Sequence, residues 1–218
     1  MRYLIFSDSH ITDRFDKSKL EILKKAIDGA DRVVINGDFW DGFSTTFDKL
    51  VASEWSKTLF PLLKKKQTVY IFGNHDAEKY SDERTSLFCD TKTHDYTFES
   101  GNITVHCEHG NRLVPLIDEW IATRMPPFLN NFYNRFEKAM VGRFGSNYMK
   151  FAYSKFNTQA KKKFSSEKKE GEYLAIGHTH FAEHDPTYRF MNSGIVQHGL
   201  AQYIYVEDGK ITPVEVAY

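Results

Sequence analysis

Short apolar runs that stop abruptly at polar residues punctuate the first third of the chain. Tyr3–Ser7, Arg32–Asn36 and Thr68–Phe72 are rich in β-branched and aromatic residues and give way to SDSH, NGDFWDG and GNHD. This is the pattern of buried strands feeding into turns. Between the first two runs, Leu20, Leu23 and Ile27 recur at helical spacing within Ser18–Asp28, with Gly29 behind them as a stop. Between the next two, Phe47, Leu50, Val51, Trp55 and Leu59 keep the same period, which predicts a second crossover helix. The order β-α-β-α-β implies a sheet with crossover helices. Further on, Tyr96–Phe98 and Ile103–His106 flank Ser100-Gly101-Asn102, and Ala201–Val206 and Ile211–Val216 flank Asp208-Gly209. Both read as hairpins. With Tyr173–Ile176 and Arg189–Met191 between them, the expected sheet is mixed.

Residues 112–169 break this rhythm. They lack a strand pattern but carry Leu129, Phe132, Phe136, Met140, Phe144, Tyr148, Phe151 and Phe156 at helical spacing. Pro126-Pro127 suits a helix start, and Gly142 with Gly145 is expected to divide the segment into two helices. The reading is one domain over 1–218, with 112–169 as a helical insert laid on an α/β body.

Composition narrows the class. At 218 residues, 41% hydrophobic and 15% aromatic, the chain collapses around a core and is not disordered. Two cysteines cannot staple a secreted scaffold, and MRYLIF before Ser7 and Asp8 is too short for a signal or spanning segment. The expectation is a cytoplasmic protein, peripheral at most to the inner face of a membrane. Charge hides its distribution. Lys+Arg and Asp+Glu both number 29, yet 112–169 carries +8 and the remainder −8, so neutrality does not exclude an acidic partner.

The chemistry lies where the strands end. Asp8-x-His10, Gly37-Asp38-x-x-Asp41, Gly73-Asn74-His75-Asp76, His109-Gly110 and Gly177-His178-Thr179-His180 each close a predicted strand. In open α/β sheets such turns meet at the carboxyl edge. Asp8, Asp38, four histidines and Asn74 are donors for hard or borderline divalent cations. Seven are too many for one tetrahedral zinc. They suit two ions sharing a bridging carboxylate, with positions open for water and substrate. Cys107 reads as a small core residue, and His94, His106, His184 and His198 as structural.

Those five blocks, spanning positions 8 to 180, resemble the calcineurin-like metallophosphoesterases, whose signature runs D-x-H, G-D-x-x-D, G-N-H-(D/E), a histidine before glycine, and G-H-x-H. The resemblance implies a four-layer α/β/β/α sandwich. It also implies that Asp8, His10, Asp38 and His180 hold one metal and Asp38, Asn74, His109 and His178 the other. His75 would be the non-ligand histidine near the leaving group, oriented by Asp41. Such a site hydrolyses a phosphodiester or pyrophosphate with hydroxide generated between two cations about 3.5–4 Å apart. Manganese, iron or zinc all fit the donors.

Substrate is narrowed by departures from pattern. Protein phosphatases of this superfamily carry Arg after the second Asp of G-D-x-x-D, where Gly42 stands here. Ligand blocks at 8, 38, 74 and 109 step by 30, 36 and 35 residues, and the next step, to 178, is 69. A helical insert at that place, and the closing Met191-Asn192-Ser193-Gly194, resemble the UDP-2,3-diacylglucosamine diphosphatases. Those enzymes usually show Arg at His75 and Asp at Asn111. The insert, with twelve basic residues, four acidic and 11 aromatics, suits a lipid-linked pyrophosphate on an anionic membrane, a nucleic acid, or plain packing with a solvated lysine face. Arg124, Arg135 and Arg143 are its candidate contacts to substrate phosphate. The alternatives are a nuclease or nucleotide phosphodiesterase, and a binding scaffold that kept the fold without catalysis.

Overall fold

β1 (Arg2–Phe6), β2 (Arg32–Asn36) and β3 (Val69–Ile71) run parallel in a computed structural model that describes residues 1–115, 127–167 and 171–218. Their side chains alternate between two cores, as the two-residue strand period requires. Leu4, Phe6, Val33, Ile35 and Tyr70 face a helical layer, whereas Tyr3, Ile5, Val34, Val69 and Ile71 face a second sheet. Burial on both faces explains why these runs are apolar throughout.

The helical layer is α1 (Lys17–Asp28), α2 (Phe47–Ala52), α3 (Glu54–Thr58) and α4 (Phe60–Lys65). α1 starts one residue before the expected boundary because Asp16 caps it, accepting the Lys19 N–H at 3.0 Å. The single helix expected around Phe47–Leu59 is instead two, α2 and α3, with α4 following directly. Ser53 adopts an extended conformation and caps α3, and Pro61, lacking an N–H, fits only the first turn of α4. Phe47, Leu50, Trp55 and Leu59 are nonetheless all buried. Spacing therefore foretold which side chains are inside but not the continuity of the helix.

β4 (Thr91–Thr93) adds a parallel edge to β3, and its all-polar sequence gave no strand signal. The hairpin β5 (Asp95–Ser100) and β6 (Ile103–Glu108) opens the second sheet. It continues through β7 (Glu172–Ile176), with β9 (Phe190–Asn192) parallel to it and β8 (Glu183–Asp185) antiparallel to β9. β10 (Val196–Gln197) and β1 pair with β11 (Leu200–Glu207), as does β12 (Lys210–Ala217), which closes the second expected hairpin. Among the described residues the sheets have seven and five strands, both mixed.

Between the two predicted hairpins the chain forms α5 (Pro127–Phe144) and α6 (Ser146–Ser165). Gly145 alone makes the break, at φ 55°, while Gly142 stays inside α5. Ala160, Phe164 and the half-buried Phe156 of α6 pack on Leu174, Ile176 and Phe190 of the second sheet. This supplies the outer layer of an α/β/β/α sandwich. Of the three readings of the insert, plain packing of the aromatic stripe on the body holds only in part. Phe132, Phe136, Phe144 and Phe151 are exposed. The body instead buries Glu137 and Val141 of α5 and, in α6, Met149 and Asn157 beside the partly buried Tyr148 and Phe156 of the stripe. Cys107 lies between the sheets, where burial raises its thiol pKa. Among the described residues, no helix is long and apolar enough to cross a membrane.

Candidate metal centre

The carboxyl ends of β1, β2 and β3 in one sheet and of β6 and β7 in the other open onto the same rim. The turns that follow are sewn together beyond the strands: Asp8 N–H bonds Gly37 O at 3.1 Å, His10 N–H bonds Asp38 O at 3.0 Å, and Gly177 N–H bonds His109 O at 3.0 Å. Packing these turns needs glycine where backbone meets carboxylate. A Cβ on Gly73 would collide with the Asp38 carboxylate, and one on Gly177 would come within 2.5 Å of Asp8 Oδ2.

The donors themselves adopt uncommon backbone conformations. Asp8, His10, Asp38, His178 and His180 have φ of 50°, 39°, 51°, 61° and 60°, a region L-residues seldom occupy. Each such residue costs about 1–3 kcal/mol, and such strain concentrates at functional sites. Asp and His enter that region more readily than most L-residues, but nothing along the sequence marks these five for it.

The side chains converge as the motifs implied. Asp8, His10 and His180 place donor atoms within 4.8 Å of one another, as do Asp38, His109 and His178. Asp38 belongs to both ends: its Oδ2 lies 3.7 Å from His10 Nε2 and 3.2 Å from His109 Nε2, while Oδ1 accepts the His75 N–H at 2.9 Å. Asp8 Oδ2 accepts the His178 N–H at 3.0 Å. Its Oδ1 lies 3.3 Å from His180 Nε2 and 3.8 Å from His10 Nε2, yet Oδ1 and His10 Nε2 are both buried without a hydrogen bond of good geometry. Buried polar atoms are normally satisfied, so these two orphans fit a cation. His109 Nδ1 donates to Asn36 O at 2.9 Å, leaving Nε2 facing Asp38 and, at 3.1 Å, Asn74 Oδ1. His178 Nε2 donates to Val114 O at 2.8 Å. Fixing one ring nitrogen on a carbonyl is how proteins aim the other at a metal.

Electrostatics agree with that fit. Burial works to raise the pKa of Asp8 and Asp38, yet neighbouring histidines hold both well below the usual carboxylate range. Burial works to lower His109, but the charge of Asp38 and its hydrogen bond push it up to about 10. The pocket thus demands positive charge beside Asp38, which a divalent cation supplies as a proton does.

His75 and Asp41 stand beside the cluster. His75 Nδ1 lies 3.1 Å from Asp41 Oδ1, and the His75 ring is 4.4 Å from that of His10. Burial works to raise Asp41, but the His75 hydrogen bond and the charge of His10 bring it down to about 2. His75 also falls within 4.8 Å of donors on His10 and Asp38. Arg135 and Arg143 are exposed on α5, and Arg124 lies outside the described residues.

Three further residues hold this geometry without having stood out in the sequence. Asp76 accepts the N–H groups of Asp38 (3.1 Å), Phe39 (2.7 Å) and Gly73 (2.6 Å), tying the β2 and β3 turns together. Its place in G-N-H-D was the available signal. Asn157 of α6 is fully buried and donates to Phe181 O and Glu183 Oε2 at 3.0 and 2.9 Å. It also accepts from Thr179 and Asn192, which brace the G-H-T-H turn. Nothing in sequence marks one asparagine on a helix for this.

Glu137 of α5 is the third. It accepts from the Tyr153 hydroxyl and lies 3.4 Å from His198 Nε2, and the Tyr153 ring lies 5.6 Å from that of His180. Burial works to raise its pKa, but the His198 bond, the charge of His180 and the Tyr153 bond lower it from 4.5 to about 2. A depressed folded-state pKa means the unfolded chain binds the proton more tightly. Stability from Glu137 is therefore present above about pH 4.5 and lost as pH falls toward about 2. Wild type should exceed Glu137→Gln at neutral pH by roughly 2 kcal/mol. Melting curves should show the gap closing across that acid window, and a gap independent of pH would leave Glu137 a role of shape alone.

Set against known proteins, residues 1–182 match the calcineurin-like phosphoesterase family model. No curated protein matches the chain. Among solved structures, YfcE, a phosphoesterase from E. coli, is 16% identical with a TM-score of 0.50, covering 100% of this chain and 99% of that one. Vps29 from Entamoeba histolytica, solved as a single mutant, is 12% identical with a TM-score of 0.48 and coverages of 100% and 99%. A metallophosphoesterase from Sphaerobacter thermophilus is 18% identical with a TM-score of 0.46 and coverages of 100% and 89%. At such identities the likeness is one of fold.

Proposed function

The chain belongs to the calcineurin-like phosphoesterase family, and from that premise we propose that it hydrolyses a phosphodiester or pyrophosphate with two divalent cations. The observation that carries this reading is Asp38 Oδ2, which faces His10 Nε2 at one end of the cluster and His109 Nε2 at the other. Asp8, His10 and His180 would complete the first site, and Asn74, His109 and His178 the second. Cations bound there supply Lewis acidity at phosphoryl oxygens and make a coordinated water acidic near neutrality.

The remaining steps are the chain's own. The His75 backbone N–H holds Asp38 Oδ1, which keeps Oδ2 turned toward His10 and His109, where it would serve both cations. Asp41, ionised throughout the neutral range, fixes the Nδ1 proton of His75 and leaves Nε2 for a proton delivered to the departing oxygen. The Phe43 ring, 4.5 Å from that of His75, shields it from bulk water.

Clefts on two sides of the cluster support a substrate substituted on both sides of the phosphorus. One begins at Asn74 and His109 and runs to Lys79 and Arg112, and the other begins at His10 and runs to Arg14 and Lys19. A monoester fills only one of them. A UDP-diacylglucosamine-like compound, a nucleic acid strand and a nucleotide diester all satisfy this requirement. The complete donor set favours an enzyme over a scaffold.

The direct experiment is hydrolysis of bis(p-nitrophenyl) phosphate by metal-loaded protein. Turnover with Mn²⁺ should vanish on chelation and return on adding metal back. A panel of UDP-diacylglucosamine, single-stranded nucleic acid and small nucleotide diesters then ranks substrates. Metal-loaded protein that is inert on every member would overturn the enzyme reading and leave the scaffold.

A further inference from the structure

The outer face of the α5–α6 hairpin exposes aromatic rings that the fold leaves uncovered. Phe132, Phe136, Phe144 and Phe151 are 69%, 48%, 51% and 89% exposed. Phe132, Arg135, Phe136 and Arg143 follow i, i+3, i+4 and i+11 spacing, so they share one arc of α5. Buried Glu137 and Val141 lie on the other side of that helix. On α6, Phe151, Lys155 and Lys162 share the arc opposite Met149, Ala160 and Phe164. Both arcs therefore point away from the body.

Charge on the hairpin has one sign. Pro127–Ser165 holds eight Lys and Arg and a single acid, Glu137, which is buried against Tyr153 and His198. Lys161 is engaged by Glu183 and Asp185. The outward phenylalanines are thus surrounded by Arg135, Lys138, Arg143, Lys150, Lys155 and Lys162, all exposed, with no exposed acid on either helix.

We propose that this hairpin docks on the surface of a bilayer containing anionic lipids, the phenylalanines entering the acyl boundary and the basic residues meeting lipid phosphates. Exposed rings on the outward arcs of two helices whose exposed charges are all positive match that surface in both apolarity and charge. A second copy presenting the same face would bring like charges together. A nucleic acid would satisfy the cations, but it offers bases to stack rather than an apolar slab that takes in several whole rings. The docked face is the far side of the helix that carries Tyr153, whose ring lies 5.6 Å from that of His180. The rim of the metal cluster would then sit about one helix diameter, roughly 10 Å, from the lipid surface. Docking of this kind concerns binding alone and stands whether or not the enzyme turns over.

The test is flotation of the full chain with vesicles of phosphatidylcholine mixed with phosphatidylglycerol, and with vesicles of phosphatidylcholine alone. Wild type should float with the mixed vesicles, and raised salt should weaken the association. Phe132→Ser/Phe136→Ser/Phe151→Ser should lower vesicle affinity about a hundredfold or more. Arg135→Glu/Arg143→Glu should lower it about tenfold or more. Because the three rings are exposed, the triple variant should keep the wild-type melting temperature and the same rate on a small soluble diester. Wild type that does not float, or a triple variant that floats as well as wild type, overturns the proposal. So does a hairpin-dependent oligonucleotide complex or dimer in the absence of vesicle binding.

Discussion

Asp38→Ala should lower kcat/KM on a soluble diester by about three orders of magnitude or more. A single transition-state donor is worth about 10²–10³, and an outer partner of a metal ligand about 10–100. Asp38 does more than either, since its Oδ2 faces both donor groups and its Oδ1 is held by the His75 N–H. Removing it takes away the proposed shared ligand and leaves His10 and His109, on opposite sides, without their common carboxylate. Metal content should fall together with activity, measured by elemental analysis after gel filtration. The Asp38 backbone adopts φ 51°, which Ala tolerates less readily than Asp, so Asp38→Asn should accompany it. Asn keeps the shape, tolerates the conformation and loses the charge. If Asp38→Asn binds both metals and turns over within tenfold of wild type, the bridging role is wrong.

His75→Ala should lower kcat by about 10²–10⁴, the range of a lost general acid, with KM and metal content nearly unchanged. The loss should be steep for esters with poor leaving groups and shallow for p-nitrophenyl esters, whose departing oxygen needs little protonation. Asp41→Asn should reproduce part of the effect, because the 3.1 Å contact with Nδ1 sets which ring nitrogen carries the proton. The measurement discriminates, since His75 also approaches His10 and Asp38 closely enough to be a ligand. A variant that loses metal in step with activity would place His75 among the ligands. One that loses activity equally on all leaving groups would refute proton donation.

The strands and the donor set are legible along the chain because both are local. A buried strand must be apolar along its length, and a sharp turn after it must hold small and polar residues, so each strand–turn unit carries its signature within about ten residues. Five such units in order single out seven candidate donors. The hairpins are legible for the same reason. Less local features are not. Ser53 divides a helix whose burial pattern is unbroken. β4 is a strand only because β3 offers it a parallel edge.

The insert shows the boundary most clearly. Its aromatic spacing and its net charge of +8 are plain in sequence, but periodicity marks a face without saying what covers it. The body selected the face with Glu137, Val141, Met149 and Asn157, and left Phe132, Phe136 and Phe151 to solvent. Asn157 became a brace for the G-H-T-H turn because tertiary packing set it beside Thr179 and Asn192. Asp38 became shared because two turns from different sheets met at one rim. The sequence alone determined which groups are available, since residue chemistry and local backbone preference are encoded along the chain. Which of them meet was decided by long-range packing, because burial of one face against another is a property of the assembled layers.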